Sequence, residues 1–225
     1  MNRGQIALDL NGLFLDRVTI ALAGKTICDL SLTVTPGEVV TVMGLSGSGK
    51  STLLAFVAGF LDPAFAATGR VLLDGVDLTG LPPSDRRTGL LFQDDLLFPH
   101  LSVAGNLMFA MPATLRGRRA RREAAEAALA DVGLSGYGTR DPGTLSGGQR
   151  ARVALMRVLL SEPRALLLDE PFSNLDADLR AQIRRLVFAK AAERRLPVLL
   201  VTHDREDAEA AGGPIVSLID RDGLE

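Results

Sequence analysis

Aromatic side chains and cysteines are scarce in this chain. Phe, Tyr and Trp make up 4 % of its 225 residues, and tryptophan is absent. So few rings disfavour a surface that stacks nucleic-acid bases, and they predict an aliphatic core. The single cysteine, Cys28, cannot form an internal disulfide, which is typical of proteins in a reducing cytosol. We expect Cys28 to be a small buried hydrophobe.

Excess charge and long apolar runs are also missing. Lys+Arg 25 against Asp+Glu 27 gives a formal net charge of -2, so we expect no nucleic-acid partner. No apolar run approaches the ~20 residues that a membrane-spanning helix needs. No apolar signal core follows the first residues of the chain. If the protein serves a membrane, a separate protein must supply the spans.

Short apolar runs alternate with helical patterns along the chain. The alternation predicts an α/β fold, and the length fits one domain over residues 1–225. Residues 95–152 lack strand signals and are mostly helical in pattern, so we expect an inserted helical subdomain there. The predicted strands cover residues 13–19, 26–34, 38–43, 70–73, 89–92, 165–168, 198–202 and 215–219, and the predicted helices 50–59, 116–132 and 150–160.

A glycine-rich segment, GLSGSGKS at residues 44–51, matches the phosphate-loop pattern in full. Its glycines let backbone N–H groups wrap a polyphosphate, Lys50 would reach the β- and γ-phosphates, and the Ser51 hydroxyl would bind Mg²⁺. An ordinary glycine-rich βα turn is the alternative, which the Lys and Ser in register disfavour. The predicted nucleotide-binding residues here are Gly44, Leu45, Ser46, Gly47, Ser48, Gly49, Lys50, Ser51 and Thr52.

Two carboxylates, Asp169 and Glu170, follow the apolar run at residues 166–168. Open α/β sheets bind ligands at such strand ends. We expect Asp169 to hold Mg²⁺, directly or through water, and Glu170 to polarise an attacking water as general base. A strand capped by solvated acids is the alternative, and the phosphate loop upstream makes it the weaker one.

A third motif, LSGGQ at residues 145–149, lies between these two. Its small residues leave backbone N–H groups unshielded, and the helix predicted after it would point its positive dipole end at an anion. The segment resembles the signature of the ATP-binding cassette (ABC) family, whose ATPases work as pairs. Gln93, His203 and the SNLD segment at residues 173–176 extend the resemblance over nearly the whole chain.

The resemblance implies a P-loop NTPase (RecA-like) core with an antiparallel β subdomain and an inserted helical subdomain. It implies that Gln93 senses Mg²⁺ or the attacking water, that His203 contacts the γ-phosphate, and that Asp176 belongs to a loop communicating with a partner subunit. The implied cofactors are ATP and Mg²⁺. The implied catalytic residues are Glu170, His203 and Gln93, the metal-binding residues are Ser51, Gln93 and Asp169, and the residues closing on the partner's nucleotide are Ser146, Gly147, Gly148 and Gln149.

The same resemblance implies the partners and the location. Two copies would form a homodimer when ATP is bound, on an integral membrane permease that receives substrate from a periplasmic or extracellular binding protein. The location would be cytoplasmic, peripheral on the inner face of the cell membrane. Residues 93–103 are similar to bacterial importer ATPases for molybdate, iron, thiamine and polyamines. We expect a compact importer subunit without a C-terminal regulatory domain.

Two details and two other functions stay open at this point. The family usually stacks an aromatic ring on adenine near Ala21 or Leu22, where this sequence is aliphatic, and Phe14 is a poorly placed substitute. The apolar segment at residues 96–98 either receives a helix of the membrane partner or packs inside the helical subdomain. The alternative functions are a soluble P-loop kinase and a soluble cassette protein acting on DNA or ribosomes.

Overall fold

The computed structural model describes residues 11–45 and 47–218. The strands are β1 (Leu13–Leu22), β2 (Lys25–Val34), β3 (Val39–Met43), β4 (Phe65–Leu73), β5 (Val76–Asp77), β6 (Thr88–Leu91), β7 (Ala165–Asp169), β8 (Val198–Thr202) and β9 (Ile215–Ser217). The helices are α1 (Lys50–Ala58), α2 (Val103–Ala110), α3 (Arg118–Asp131), α4 (Gly147–Leu160), α5 (Ala177–Glu193) and α6 (Arg205–Ala211). No helix in these two ranges is long and apolar enough to cross a membrane.

The strands form two sheets, one antiparallel and one parallel. The antiparallel sheet has the order β2-β1-β4-β5, and the parallel sheet has the order β6-β7-β8-β3-β9. β3, β7 and β8 are buried along almost their whole length, as expected of parallel strands covered on both faces. Their apolar runs were therefore recognisable in the sequence.

Alternate residues of the parallel strands face two separate apolar clusters. Leu166 and Leu168 pack with the helical segment that includes α4 and part of α5. Leu167 packs in the second cluster, with α1 and the antiparallel sheet, where Cys28 is buried as expected. The parallel sheet thus lies between the helical segment on one face and the antiparallel sheet on the other.

The chain between β6 and β7 is helical, and one of its helices begins earlier than the sequence predicts. β6 and β7 are adjacent in the sheet, and α2, α3 and α4 connect them. α4 begins at Gly147, not at Arg150, because Ser146 and Gln149 form a capping box. Ser146 Oγ accepts from the Gln149 N–H, and Gln149 Oε1 accepts from the Ser146 N–H. The cap outweighs the poor helix propensity of the two glycines.

A hairpin with Asp74 and Gly75 as its turn joins β4 to β5. Both residues have positive φ, 48° and 78°, as a two-residue type I′ turn requires. β4 itself begins at Phe65, well before the predicted start at Arg70. The Ala- and Gly-containing sequence before Arg70 carries little strand propensity, so pairing with β1 decides the conformation there.

A buried guanidinium fastens the end of α1 to the segment after β5. Arg86 is 5 % exposed and donates to the carbonyl oxygens of Phe56 and Val57, in the last turn of α1. It also donates to the carbonyls of Thr79 and Leu81. A cation at a helix C-terminus satisfies carbonyls that lack intrahelical partners. Arg86 therefore holds in place the helix whose other end carries the phosphate-loop lysine.

Candidate nucleotide site

The parallel sheet brings the predicted catalytic segments to one edge. The carboxyl ends of parallel strands share an edge, and β6, β7, β8 and β3 are consecutive neighbours. The phosphate loop follows β3, Gln93 comes just after β6, Asp169 ends β7, and His203 follows β8. Segments far apart in sequence meet here because of strand order alone.

The phosphate loop turns from β3 into α1 through two glycines in the left-handed region. Gly47 has φ 81° and Gly49, the N-cap of α1, has φ 89°. Lys50 is 4 % exposed, and its Nζ donates to the carbonyls of Gly44 and Leu45, both at 2.8 Å. Ser48 Oγ is buried without a hydrogen-bond partner among the described residues, to which Ser46 does not belong. A helix N-terminus with free N–H groups and a buried ammonium group suits a phosphate chain.

A cleft of about 510 Å³ opens between this loop and the acidic strand end. One part of its wall is polar and comes from the loop and the strand ends: Gly47, Gly49, Lys50, Ser51, Thr52, Gln93, Asp94, Asp169 and Glu170. The other part is apolar and comes from β1, β2, β4 and the segment after β6: Leu22, Ile27, Phe65, Phe92 and Leu96. A cleft with both polar and apolar walls suits a nucleoside triphosphate, which has a charged phosphate chain and a base with apolar faces.

Ser51 and Asp169 present oxygen ligands side by side. Ser51 Oγ donates to Asp169 Oδ1 at 2.9 Å. Burial raises the pKa of Asp169 and the charge of Glu170 adds to this, while the Ser51 hydrogen bond and Lys50 oppose it. A partly buried carboxylate beside a hydroxyl fits a hard divalent cation such as Mg²⁺, which takes oxygen ligands and often phosphate oxygens as well.

Glu170 lies between Lys50 and His203. Its Oε1 is 3.6 Å from Lys50 Nζ and its Oε2 is 3.0 Å from His203 Nδ1. The backbone of Glu170 is in the left-handed region, with φ 44°, which costs a non-glycine residue about 1–3 kcal/mol. The Glu170 N–H donates to the carbonyl of Val201 on β8, which helps to hold this conformation. His203 is 54 % exposed and does not line the cleft.

Gln93 is linked to the segment that follows Glu170. Its Nε2 donates to Asn174 Oδ1 at 3.1 Å, and Asn174 Nδ2 donates to Asp94 Oδ1 at 3.0 Å. The side chain of Gln93 lines the cleft, so a ligand there can be sensed by the loops after both β6 and β7.

The LSGGQ segment does not line the cleft of its own chain. None of Ser146, Gly147, Gly148 and Gln149 is among the residues that line it, and Gly148 lies instead beside the first turn of α5, where a Cβ on Gly148 would be 2.4 Å from Leu179 Cδ1. Asp176 is the N-cap of α5, and its Oδ1 accepts from the Leu179 N–H. These predicted nucleotide-binding residues form a second cluster in which the LSGGQ and SNLD segments are neighbours.

The aromatic wall of the cleft comes from residues that the sequence did not single out. Phe65 pairs with Leu22 across β4 and β1 and lines the cleft with it. Phe14, the substitute suggested by the sequence, pairs with Leu72 and Thr33 near the opposite end of β1. Eight positions along a strand correspond to about 26 Å, so Phe14 is the wrong residue for this wall. Phe65 lies opposite Leu22 because of the register between β1 and β4. The sequence pattern of the first half of β4 is too weak to predict that register.

The apolar segment at residues 96–98 is divided between the core and the surface. Leu97 packs against the core cluster of the helical segment, whereas Leu96 is 55 % exposed. The ring of Phe98 lies 4.8 Å from that of Phe109, which is 67 % exposed. Part of the segment is therefore internal packing, whereas Leu96 lines the cleft and the exposed Phe109 lies beside Phe98.

Comparison with known proteins identifies relatives over most of the chain. Residues 27–173 match the family model described as ABC transporter. An uncharacterized ABC transporter ATP-binding protein, YnjD of Escherichia coli (strain K12), is 50% identical over 83% of this chain and 85% of its own length. The thiamine import ATP-binding protein ThiQ of Shigella flexneri serotype 5b (strain 8401) is 47% identical over 79% of this chain and 75% of that protein.

A longer relative is the Fe(3+) ions import ATP-binding protein FbpC 1 of Rhizobium meliloti (strain 1021). It is 43% identical over 88% of this chain, and the match spans only 55% of that protein. The chain thus spans about half the length of its iron-import relatives. The predicted family, fold class and ATPase activity are confirmed by these matches and by the two-sheet architecture. The chain belongs to the ABC transporter family, among its ATP-binding proteins, which are ATPases of the P-loop NTPase fold.

Proposed function

We propose that this chain is the ATP-hydrolysing subunit of a bacterial ABC importer. The observation that carries the proposal is the cleft in which the phosphate-loop residues Lys50 and Ser51 face Asp169 and Glu170. The names of the relatives that import thiamine and Fe(3+) support import as the direction of transport. The substrates in the relatives' names differ from one another.

Each group in the cleft has a role in hydrolysis. Loop N–H groups and Lys50 bind the β- and γ-phosphates. Ser51 and Asp169, with Gln93 nearby, would hold Mg²⁺, which supplies charge neutralisation on the phosphate oxygens when bound. Glu170 accepts a proton from the attacking water as the oxygen bonds to the γ-phosphorus and the bond to ADP breaks. His203, whose Nδ1 is 3.0 Å from Glu170 Oε2, would contact the γ-phosphate.

The proposed active unit is a head-to-tail homodimer. The LSGGQ segment is remote from the cleft of its own chain, so its exposed N–H groups would close on the triphosphate held by the second copy. The neighbouring Asp176 loop would then touch the same partner. ATP binding would close the dimer and hydrolysis by Glu170 would open it.

The dimer would act on a membrane permease, with a substrate-binding protein on the other side of the membrane. The exposed ring of Phe109, which lies edge-on to Phe98, is a suitable contact for an apolar helix of that permease. Such contacts imply a location on the cytoplasmic face of the cell membrane. Copurification from detergent-solubilised membranes tests this part, and recovery of the chain without any multispanning partner would contradict it.

The Glu170→Gln variant tests the catalytic part of the proposal. It removes the base while keeping the size of the side chain, so we expect MgATP binding, very slow hydrolysis and accumulation of an ATP-bound dimer. Phosphate release and light scattering after size-exclusion chromatography measure both effects. Glu209→Gln, an exposed acid on α6, is the matched control and should behave like wild type. Normal hydrolysis by Glu170→Gln, or a variant that stays monomeric with ATP, would refute the role assigned to Glu170.

A further inference from the structure

Arg180, in the first turn of α5, joins two loops that meet at the catalytic edge. Its Nη1 donates to Asp204 Oδ2 at 2.5 Å, and its Nη2 donates to the carbonyl oxygen of Ser173 at 3.4 Å. The Arg180 and Asp204 side chains are 23% and 26% exposed, so the ion pair is largely shielded from solvent. The two contacts leave the guanidinium between the loop after β7 and the loop after β8.

Both contacted residues are tied to the pair formed by Glu170 and His203. Ser173 donates from its N–H and its Oγ to the carbonyl oxygen of Glu170, at 3.3 and 2.9 Å. Asp204 directly follows His203, and the Asp204 N–H donates to Thr202 Oγ1 at 3.0 Å. Arg180 is therefore connected to Glu170 through Ser173 and to His203 through Asp204. These are the two residues whose Oε2 and Nδ1 atoms are 3.0 Å apart.

We propose that Arg180 is a positioning residue that sets the separation of Glu170 and His203; this rests on the proposed role of Glu170 in hydrolysis. A guanidinium is planar and rigid, so its two terminal nitrogens hold two acceptors at a fixed spacing. Asp204 is itself immobilised, because its Oδ1 accepts from the N–H groups of Glu206 and Asp207 at the start of α6. Because Asp204 is held in place, the guanidinium also holds the carbonyl oxygen of Ser173 in place.

One detail of Arg180 distinguishes it from a residue that serves stability alone. Its Nε is buried and has no hydrogen-bond partner among the described residues, which is unfavourable. Orientation toward Ser173 and Asp204 is kept at that cost. A side chain selected for stability alone would be expected to satisfy all its buried donors.

The same turn of α5 carries the loop proposed to contact the second subunit. The Arg180 N–H donates to the Asp176 carbonyl at 2.8 Å, so Asp176 and Arg180 move together. A shift of this turn when the two copies close would change the spacing of Glu170 and His203 through Arg180. The structure thus assigns to Arg180 a link between the subunit contact and the catalytic base.

Arg184, one turn further along α5, offers a matched control. Its Nη1 donates to Asp207 Oδ1 at 2.8 Å, and the two side chains are 14% and 3% exposed. This ion pair also connects α5 with α6 and is more buried than that of Arg180. In the part of the chain that the structure describes, no hydrogen bond or ion pair joins Arg184 to Ser173 or Asp204, so its removal tests the packing of α5 on α6 while both Arg180 contacts stay in place.

The experiment compares steady-state ATP hydrolysis by the full chain and its variants. For Arg180→Met we expect kcat to fall roughly ten- to hundred-fold, the effect of misplacing a catalytic group by about 1 Å, with KM for ATP nearly unchanged. Arg180→Lys keeps the charge but loses the pair of terminal nitrogens, so its kcat should lie between those of wild type and Arg180→Met. Arg184→Met should keep the wild-type kcat per folded molecule even where its melting temperature falls. In combination with His203→Ala, the loss caused by Arg180→Met should largely disappear.

Several results would overturn the inference. These are an unchanged kcat for Arg180→Met, an equal loss of kcat for Arg184→Met, or independent losses for the Arg180 and His203 substitutions. If Arg180→Met does not fold, the isosteric Asp204→Asn breaks the same ion pair and is judged by the same criteria. A wild-type chain that hydrolyses no ATP would overturn the proposed function, whereas the ratio of variant to wild type tests Arg180 alone.

Discussion

Substitution of Phe65 tests whether the apolar end of the cleft binds the base of ATP. Phe65 lines the cleft together with Leu22 and Ile27, and it pairs with Leu22 across β4 and β1. If the adenine lies on the Phe65 ring, Phe65→Ala removes the only aromatic face contributed by the antiparallel sheet to the described lining of the cleft. The phosphate contacts are made by other residues and remain intact.

The magnitude follows from stacking energetics. Removal of one aromatic partner costs about 1–3 kcal/mol per base, which weakens ATP binding by roughly 5- to 150-fold. The apolar side chains of Leu22 and Ile27 stay in place, so we expect the lower half of this range. Binding of inorganic triphosphate should not change, because it lacks a base. The preference for ATP over triphosphate is therefore the quantity that the substitution lowers.

The composition of the chain makes a direct assay possible. The sequence contains no tryptophan, so Phe65→Trp introduces a single indole fluorophore into the cleft. We expect ATP to quench its emission and inorganic triphosphate to leave it unchanged, with ATP affinity equal to or above that of wild type because Trp is the larger stacking partner. Isothermal titration calorimetry of Phe65→Ala supplies the matching affinities.

Phe14→Ala is the matched control for Phe65→Ala. Phe14 is a half-buried ring on the same sheet but near the other end of β1. Its removal should lower stability without changing ATP affinity. If Phe14→Ala weakens ATP binding as much as Phe65→Ala does, or if Phe65→Ala weakens triphosphate binding equally, then the assignment of the base to the Phe65 wall is wrong.

Two other substitutions test the scaffold and the second cluster. Arg86→Met leaves the Val57 carbonyl without its donor, whereas the Phe56 carbonyl keeps the Gly59 N–H, and we expect the substitution to lower the free energy of unfolding by about 1–3 kcal/mol in urea titrations. The exposed Arg87→Met is its control, and an equal loss there would refute the argument. Ser146→Phe, made in the Glu170→Gln background, should abolish ATP-dependent dimerisation in light scattering while the monomer keeps its ATP affinity. Loss of that affinity would mean that the LSGGQ segment acts within its own chain.

Much of the fold could be predicted because the parallel strands are buried on both faces. β3, β7 and β8 stand out as apolar runs, and the phosphate loop and the acidic pair follow directly from two of them. Their convergence follows from strand order, which the motifs implied through the family resemblance. The start of α4 was missed because a capping box overrode propensity.

The apolar end of the cleft and Arg180 could not have been found in the same way. Phe65 belongs to a strand with a weak pattern, and its neighbour Leu22 is determined by antiparallel register rather than by any local signal. Arg180 is one of several charged residues on α5, and nothing in its local sequence separates it from Arg184. Its significance comes from two acceptors on loops that only the tertiary structure brings together.

The crowding at Gly148 affects how genetic data on the LSGGQ segment should be interpreted. A methyl group there would collide with Leu179 of the same chain, whereas at Gly147 the nearest such atom is Arg150 Nη2 at 3.9 Å. Loss of function in Gly148→Ala would therefore mix misfolding with defective pairing, and a descendant that had abandoned the dimer would still be under selection to keep Gly148. Gly147 is free of that constraint within its own chain. In a lineage whose subunits had ceased to pair, Gly147 would therefore be lost before Gly148.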